Sequence, residues 1–493
     1  MITRCRKWLL APAIVCLFVM LPQQGYASTP YEGYIWNTEG RDVRSINGYV
    51  HDRAIDGAYL PSGPFNGAED LFIGPDDTVY VTDTGNNRIV HLSADDELIK
   101  VIGDTEGPGK LNGPKGVFVK EDGSVYVADT KNQRIALFDR EGAFLKELTA
   151  PDSPLLGPGF SYSPSKLVVD NRDYLYVVSE GNTKGLMQID GNGDFKGFFG
   201  SNDVPFNLRD FLVRLIATEE QKAKLPTVQA LAFSNLAQDG KGFIYTTTLG
   251  TDVNQIKRLS PVGVDTLNRG ANKYGDLISY GGPFQVASFE DISINPDGLI
   301  TALNVTTSRV YQYDKLGNLL FVFGGNGDQD GVFTTPSSLA ENAEGTIYVL
   351  DKARNRIDLF RTTPFADQVH EASRLYVNGR YDEAKAIWDE VIQLNGNYDI
   401  AYHAIGKALY KAEQYKDAMD YYRSANARGD YSEAFRQYRI EFVREHFAWF
   451  FSGAIVLFLG LRYGLPFLFR RIRRAKAIGG REGNPLKGEV EAS

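Results

Sequence analysis

Short apolar runs with β-branched and aromatic residues, separated by turns rich in Gly, Asn and Asp, recur along most of the chain. Residues 78–92, TVYVTDTGNNRIVHL, show the pattern. The run Val79, Tyr80, Val81 stops at Asp83, a four-residue turn follows, and Arg88 opens a second run. This predicts a β-hairpin with Asp83 and Arg88 facing each other across the strand pair. The hairpin returns at residues 124–138 with Asp129 and Arg134, and at 346–360 with Asp351 and Arg356. Tyr126 falls 46 residues after Tyr80. Short strands repeating every ~40–50 residues predict a β-propeller, one four-stranded blade per repeat.

Six repeats can be placed. Inner-strand candidates are residues 70–74, 116–120, 166–170, 230–234, 291–295 and 338–342, and the second strands centre on Tyr80, Tyr126, Tyr176, Tyr245, Ile300 and Tyr348. The interval from Tyr176 to Tyr245, 69 residues, carries an insertion at 201–225. Within it Leu208, Phe211, Leu212 and Leu215 have helical spacing over 207–224. Repeats three to five lack the joint Asp and Arg at the turn. The sixth lacks a fourth strand, and residues 50–55 are expected to supply it beside 356–360, closing the ring.

The remaining segments read differently. Residues 1–27 have a basic end, an apolar core and a small-residue ending, the form of a signal peptide. Both cysteines, Cys5 and Cys16, lie inside it, so a cleaved chain has no thiol chemistry or disulfide. Residues 366–445 read as helices in which Tyr381 and Ala384 recur as Tyr415 and Ala418, a 34-residue spacing. Residues 447–469 form an apolar stretch long enough to span a bilayer, with Arg462 able to snorkel to the headgroups. Residues 470–493 are a basic tail; Arg470, Arg471, Arg473, Arg474 and Lys476 open it and place it on the cytoplasmic side. The propeller and helical repeats are then outside the membrane. Between the two termini, residues 28–461 carry a net charge of −17 against −9 for the chain, which argues against nucleic acid as a partner.

The repeats resemble the NHL-repeat family through Pro114-Lys115-Gly116-Val117, Val125-Tyr126-Val127-Ala128-Asp129, Asn132-Gln133-Arg134-Ile135 and the lead-in Gly324-Gly325-Asn326-Gly327 with Gly331-Val332-Phe333 and Pro336. The resemblance covers about residues 48–362 and implies a six-bladed propeller. The helical segment is similar to tetratricopeptide repeats. The expected fold class is therefore mostly β: a six-bladed NHL-type propeller (28–362), tetratricopeptide-like helices and one transmembrane helix.

Chemistry is sparse. HExxH, GxSxG and phosphate-loop motifs are absent, and the five histidines have no ligand spacing. The turns at 190–194 and 326–331 begin like calcium loops, but Ser201 and Ser337 stand where the twelfth-position glutamate belongs. Asn304 heads a glycosylation triplet of the kind expected by chance. The residue before each inner strand should come near the channel mouth, which gives Glu69, Lys115, Ser165, Gln229, Glu290 and Ser337. Of these, Glu69, Lys115, Gln229 and Glu290 are the candidate ligand-binding ring. Similarity to gluconolactonase-like propellers implies that Glu69, Gln229 and Glu290 would hold a divalent metal such as calcium; otherwise no cofactor is expected. These features point to a membrane-anchored extracytoplasmic binding or scaffold protein for a protein or carbohydrate ligand. A metal-dependent lactonase and an accessory subunit of a transport or envelope complex are the alternatives.

Overall fold

The computed structural model describes residues 29–37, 40–204, 208–218, 229–276 and 286–479. The expected signal peptide and the end of the basic tail lie outside the described residues.

Six antiparallel sheets form the blades of a propeller. Blade 1 runs Asp70–Ile73, Val79–Asp83, Arg88–Leu92 and Leu98–Ile102 from the axis outward. Blade 2 begins at Gly116–Val119 and Val125–Asp129, blade 3 at Pro164–Val169 and Leu175–Ser179, and blade 5 at Phe289–Ile294 and Ile300–Asn304. Blade 4 has three strands among the described residues, Phe233–Gln238, Ile244–Thr248 and Ile256–Leu259. Second strands are buried along nearly their whole length because both sheet faces pack against neighbouring blades. That double burial is why they read as unbroken apolar runs.

Blade 6 joins Pro336–Glu341, Ile347–Asp351 and Arg356–Thr362 to the early strand Tyr49–Asp56, with Ile357 opposite Ile55. The first strand of the propeller thus closes its last blade, as the missing fourth strand required. Ile55 enters the apolar layer between blades 6 and 1 with Leu71, Val81 and Leu350.

The fourth inner strand departs from expectation. It starts at Phe233, not at residue 230, because Phe233 and Leu236 are the buried residues while Leu231 is 38% exposed. The insertion holds helix α1 (Leu208–Ile216), with Leu208, Leu212, Leu215 and Ile216 exposed; the rest of the expected helix, Asn207 and residues 219–224, includes positions outside the described residues.

The hairpin turns explain the repeated polar residues. Asp83 Oδ1 accepts from the backbone N–H of Asn66 at 2.7 Å, in the loop leading to the blade's own inner strand, and Oδ2 accepts from Arg88 Nε at 2.8 Å. Arg88 also donates to the carbonyls of Gly63 and Pro64. Asp129 and Arg134 repeat this with Asn112 N–H (2.8 Å) and the Pro108 and Lys110 carbonyls. Asn87 and Gln133 close these turns in the left-handed region (φ 58° and 55°), which suits a short amide side chain better than a branched one. In blades 3 and 5, Ser179 and Asn304 fill the same place and accept from Ser163 and Ser288 N–H at 3.0 and 3.1 Å. Asn304 is buried in this role, so its glycosylation triplet is structural.

Blade 6 corrects the expected pair Asp351–Arg356. The two residues are in register, but Asp351 Oδ2 is bonded by Arg354 Nε at 2.7 Å. The turn there puts arginine where blades 1 and 2 have Asn86 and Asn132, and its reach covers both jobs. Arg356 turns to Asp358, two residues along the same strand face, and to Asp330 at 2.8 Å.

The chain divides after residue 400 into two compact units. The boundary falls inside the helical segment because its first pair, α2 (Pro364–Val377) and α3 (Tyr381–Leu394), belongs with the propeller. Thr363 caps α2 through Ala366 N–H (3.2 Å), Phe365 meets Phe321 edge to face at 6.1 Å, and Tyr398 donates to the Leu320 carbonyl at 3.0 Å. The second unit contains most of α4 (Asp399–Lys411), then α5 (Tyr415–Ser424) and α6 (Arg428–Glu445). Gly406 lets α4 approach Tyr422 of α5: a Cβ there would lie 2.8 Å from the ring. A continuous helix follows: α7 (Phe447–Leu459), a π-helical turn at Gly460–Gly464, and α8 (Leu465–Gly479). Within it Phe447–Lys476 is long and apolar enough to cross a membrane, with its side chains exposed to their surroundings.

Candidate functional site

The six inner strands line the central channel, and their N-terminal ends form one mouth. Four of them begin with a bulge, at Ser165, Ser234, Glu290 and Ser337, where two residues oppose one on the second strand. A bulge re-aims its extra side chain, here toward the opening. In blades 1 and 2 the residue just before the strand takes that place: Glu69 and Lys115 donate their N–H groups to Thr82 and Ala128 carbonyls. All six edge a cavity of about 640 Å³, together with Glu180 and Lys352.

Five of the six residues expected at the mouth, Glu69, Lys115, Ser165, Glu290 and Ser337, are therefore brought together. Gln229 is not: it is exposed and lies four residues ahead of its strand, outside the lining. Ser234 occupies the blade 4 position, a consequence of the shifted register.

Lys115 organises the charges. Its Nζ lies 2.7 Å from Glu180 Oε1 and 3.9 Å from Glu69 Oε2. Burial opposes its charge, but Glu180, Glu69 and Glu290 outweigh this and raise the ammonium above its ordinary value. Ser165 and Ser337 spend their hydroxyl protons on the Val178 and Ala68 carbonyls at 3.3 and 2.9 Å. Neither is set up as a nucleophile, and among the described residues no imidazole lines the channel.

One residue deeper sits a second ring: Asp70, Lys166, Asn235, Asp291 and Ser338, with Gly116 at the blade 2 position. Lys166 is ion-paired to Asp70, whose Oδ2 also accepts from Val117 N–H at 2.9 Å. Asp291 accepts from Asn235 Nδ2 at 2.7 Å, Leu339 N–H at 2.8 Å and the Ser338 hydroxyl. Burial pushes the Asp291 carboxyl up to about 6, with Lys166 opposing and Asp70 reinforcing. Burial likewise disfavours the Lys166 ammonium, yet Asp70 and Asp291 leave it raised. Through these bonds, and the Leu71 N–H donated to Ser338 Oγ at 3.0 Å, the ring links all six blades below the mouth. Its signal in the sequence was the doublet Glu-Asp before apolar residues, Glu69-Asp70-Leu71 and Glu290-Asp291-Ile292, with Lys166 and Asn235 breaking equivalent runs.

Beyond the ring a cavity of about 250 Å³ is edged by Phe72, Ile73, Phe118, Ile294 and Glu341. Elsewhere, a groove of about 730 Å³ beside the hairpin Tyr34–Trp36 and Asp42–Arg44 has its polar groups mutually bonded: Tyr34 to Asp276, and Arg309 to Asp276 at 3.2 Å. His51, Asp330 and Asp358 cluster on blade 6, but Asp358 is held by Arg354 and Arg356. The calcium-like turns use their carboxylates locally. Asp190 accepts from Asn192 and Asp194 N–H and pairs with Lys196 at 2.7 Å, and Asp330 pairs with Arg356.

No family model matches the chain, and no curated protein matches it. Solved structures that are similar include a streptogramin B lyase (13% identity, 67% of this chain and 86% of that one, TM-score 0.39). Others are the virginiamycin B lyase from Staphylococcus aureus (11% identity, 64% and 100%, TM-score 0.40) and the WD40 β-propeller domain of Doa1 (13% identity, 65% and 99%, TM-score 0.40). These are likenesses of fold alone.

Proposed function

We propose that the protein is a membrane-anchored extracytoplasmic binding or scaffold protein whose propeller mouth engages a protein or carbohydrate ligand. The observation that carries this reading is the mouth itself, where Glu69, Glu180 and Glu290 surround Lys115 amid serine hydroxyls that serve as structural donors. Such a set offers paired donors and acceptors to hydroxyl-rich or zwitterionic surfaces and lacks a nucleophile–base pair. The repeated Asp–Arg turn supports an NHL-type propeller, and the 34-residue spacing supports tetratricopeptide-like helices. The helix Phe447–Lys476 would hold the protein in the bilayer, and the five basic residues from Arg470 to Lys476 favour a cytoplasmic tail.

The metal-dependent lactonase reading needs Glu69, Gln229 and Glu290 to converge. Gln229 lies outside the mouth, and an ammonium stands beside Glu69, which weighs against that donor set. The test uses detergent-solubilised full-length protein on a glycan array and in crosslinking from intact cells. Lys115→Glu should lose the ligand that wild type retains. Equal retention by the variant would sink the mouth as the binding site.

A further inference from the structure

Glu341 ends the inner strand of blade 6, opposite Ile347. The same place in the other blades, opposite the first residue of the second strand, holds Ile73, Val119, Val169, Gln238 and Ile294. A charge-bearing residue at this level is peculiar to blade 6. Its two oxygens accept from neutral donors, Asn295 Nδ2 at 3.0 Å and Thr301 Oγ1 at 3.2 Å. Among the described residues no lysine or arginine balances it, and the further charge acting on it is another carboxylate, Asp297. Glu341 is half-buried, and carboxylates withdrawn from water are ordinarily paired, because desolvation without a countercharge is costly.

The cavity beside it is bounded on one side by the ring of Asp70, Lys166, Asn235 and Asp291, and on blades 1, 2 and 5 it also carries apolar side chains. Phe72 and Phe118 stand there half-buried, their rings 5.2 Å apart and tilted by 58°, with Ile73 and Ile294 adjoining. Aromatic faces attract cations as well as hydrocarbon. We propose that this end of the channel binds a small organic cation, its ammonium group against Glu341 and its apolar body against Phe72 and Phe118. A hard divalent ion is a poorer match, since it requires six or more oxygen ligands while the other carboxylates of the cavity, Asp70 and Asp291, are already held by Lys166, Asn235, Ser338 and backbone N–H groups.

A polar chain behind Glu341 fixes the donor. Gln312 Nε2 donates to Thr301 Oγ1 at 3.3 Å and to the Tyr49 hydroxyl at 2.7 Å, and His370 of α2 bonds Gln312 Oε1 at 2.6 Å. Thr301 is thereby left to donate toward Glu341. The titratable groups facing the site are thus Asp297, Tyr49 and His370 from the packed elements, and Asp70, Lys166 and Asp291 of the ring across the cavity. Burial holds the His370 ring neutral, lowered to about 4, so it supplies no positive charge near neutral pH. Burial also pushes the Glu341 carboxyl up to about 7, which makes occupancy by a cation dependent on pH.

The experiment is calorimetric titration of the detergent-solubilised full chain with benzylamine, and with benzyl alcohol as the uncharged counterpart. Saturable benzylamine binding is expected at about pH 8, weakened about ten-fold by Glu341→Gln, the loss of one ionic contact. Benzyl alcohol should bind about ten-fold more weakly to wild type. Acidification to about pH 5.5, where benzylamine stays cationic and Glu341 is protonated, should weaken wild type several-fold more than Glu341→Gln, in which only Asp291 across the cavity still titrates. Phe118→Leu should weaken binding while keeping the pH response, and melting curves verify that both variants fold. Absence of saturable benzylamine binding, equal binding of the alcohol, or indifference to Glu341→Gln would each overturn the proposal.

Discussion

Lys166 of blade 3 reaches past blade 2 to place its ammonium on the Asp70 carboxylate of blade 1. The path is open because Gly116 stands between them; a Cβ there would lie 2.3 Å from the Ser165 carbonyl oxygen. Both partners are largely buried, with side chains 15% and 10% exposed. Removing one leaves the other charge uncompensated, which costs about 3–5 kcal/mol in comparable sites. Lys166→Met is expected to lower the melting temperature sharply, and the double variant Lys166→Met with Asp70→Leu should recover much of the loss. A double-mutant cycle by denaturant unfolding measures this, and a milder single than double variant would refute it.

The blade turns should differ in cost by their charge. Asp83→Ala strands the Arg88 guanidinium, which is 12% exposed, along with the Asn66 N–H. A loss of about 2–4 kcal/mol is expected. Ser179→Ala removes only a neutral acceptor from Ser163 N–H, for about 1 kcal/mol. Chemical denaturation of the two variants compares them directly.

Ring closure depends on residues far apart in sequence. Ile55, 5% exposed, packs between blades 6 and 1, so Ile55→Ala should cost about 2–4 kcal/mol. Deleting residues 49–56 should expose the edge at Arg356–Thr362 and yield aggregated protein. Soluble, monodisperse protein after that deletion, by size-exclusion chromatography, would contradict the closing role.

Two half-buried groups bend the pH profile in opposite senses. Glu341 has its folded value raised, so between about 4.5 and 7 the native state holds a proton that the unfolded state has released. Stability from this site therefore falls as pH rises through that window. His370 is lowered to about 4 from 6.5, so the unfolded state binds the extra proton and stability falls as pH drops through 6.5. Glu341→Gln should melt higher than wild type near pH 8 and coincide with it near pH 4.5. His370→Gln should lessen the destabilisation on acidification. Calorimetric melting across that range checks both.

The apolar helix gives a further test of anchoring. Val456→Arg places a charge within Phe447–Lys476 at a cost of about 2.5–3.5 kcal/mol for insertion. The variant should move from the carbonate-resistant membrane pellet toward the supernatant. Retention in the pellet would argue that the helix is not the anchor.

The sequence by itself determined the blade count, the second strands and the strand that closes the ring. Apolar runs with period-two geometry and Gly/Asn turns are local properties, and a missing fourth strand leaves an edge that must be filled. It also placed five mouth residues, since Glu69, Lys115, Ser165, Glu290 and Ser337 follow from strand position alone. Only the tertiary structure decided the rest. Blade 4 kept Phe233 and Leu236 inside, which moved its register and replaced Gln229 with Ser234. Blade 6 chose Arg354 over Arg356 because side-chain reach across the turn, not spacing, selects the partner of Asp351. The Lys166–Asp70 bridge joins residues 96 positions apart, and Glu341 sets one blade apart from five others. Such pairings arise when inner strands from separate repeats converge on one axis, and no local pattern encodes that convergence.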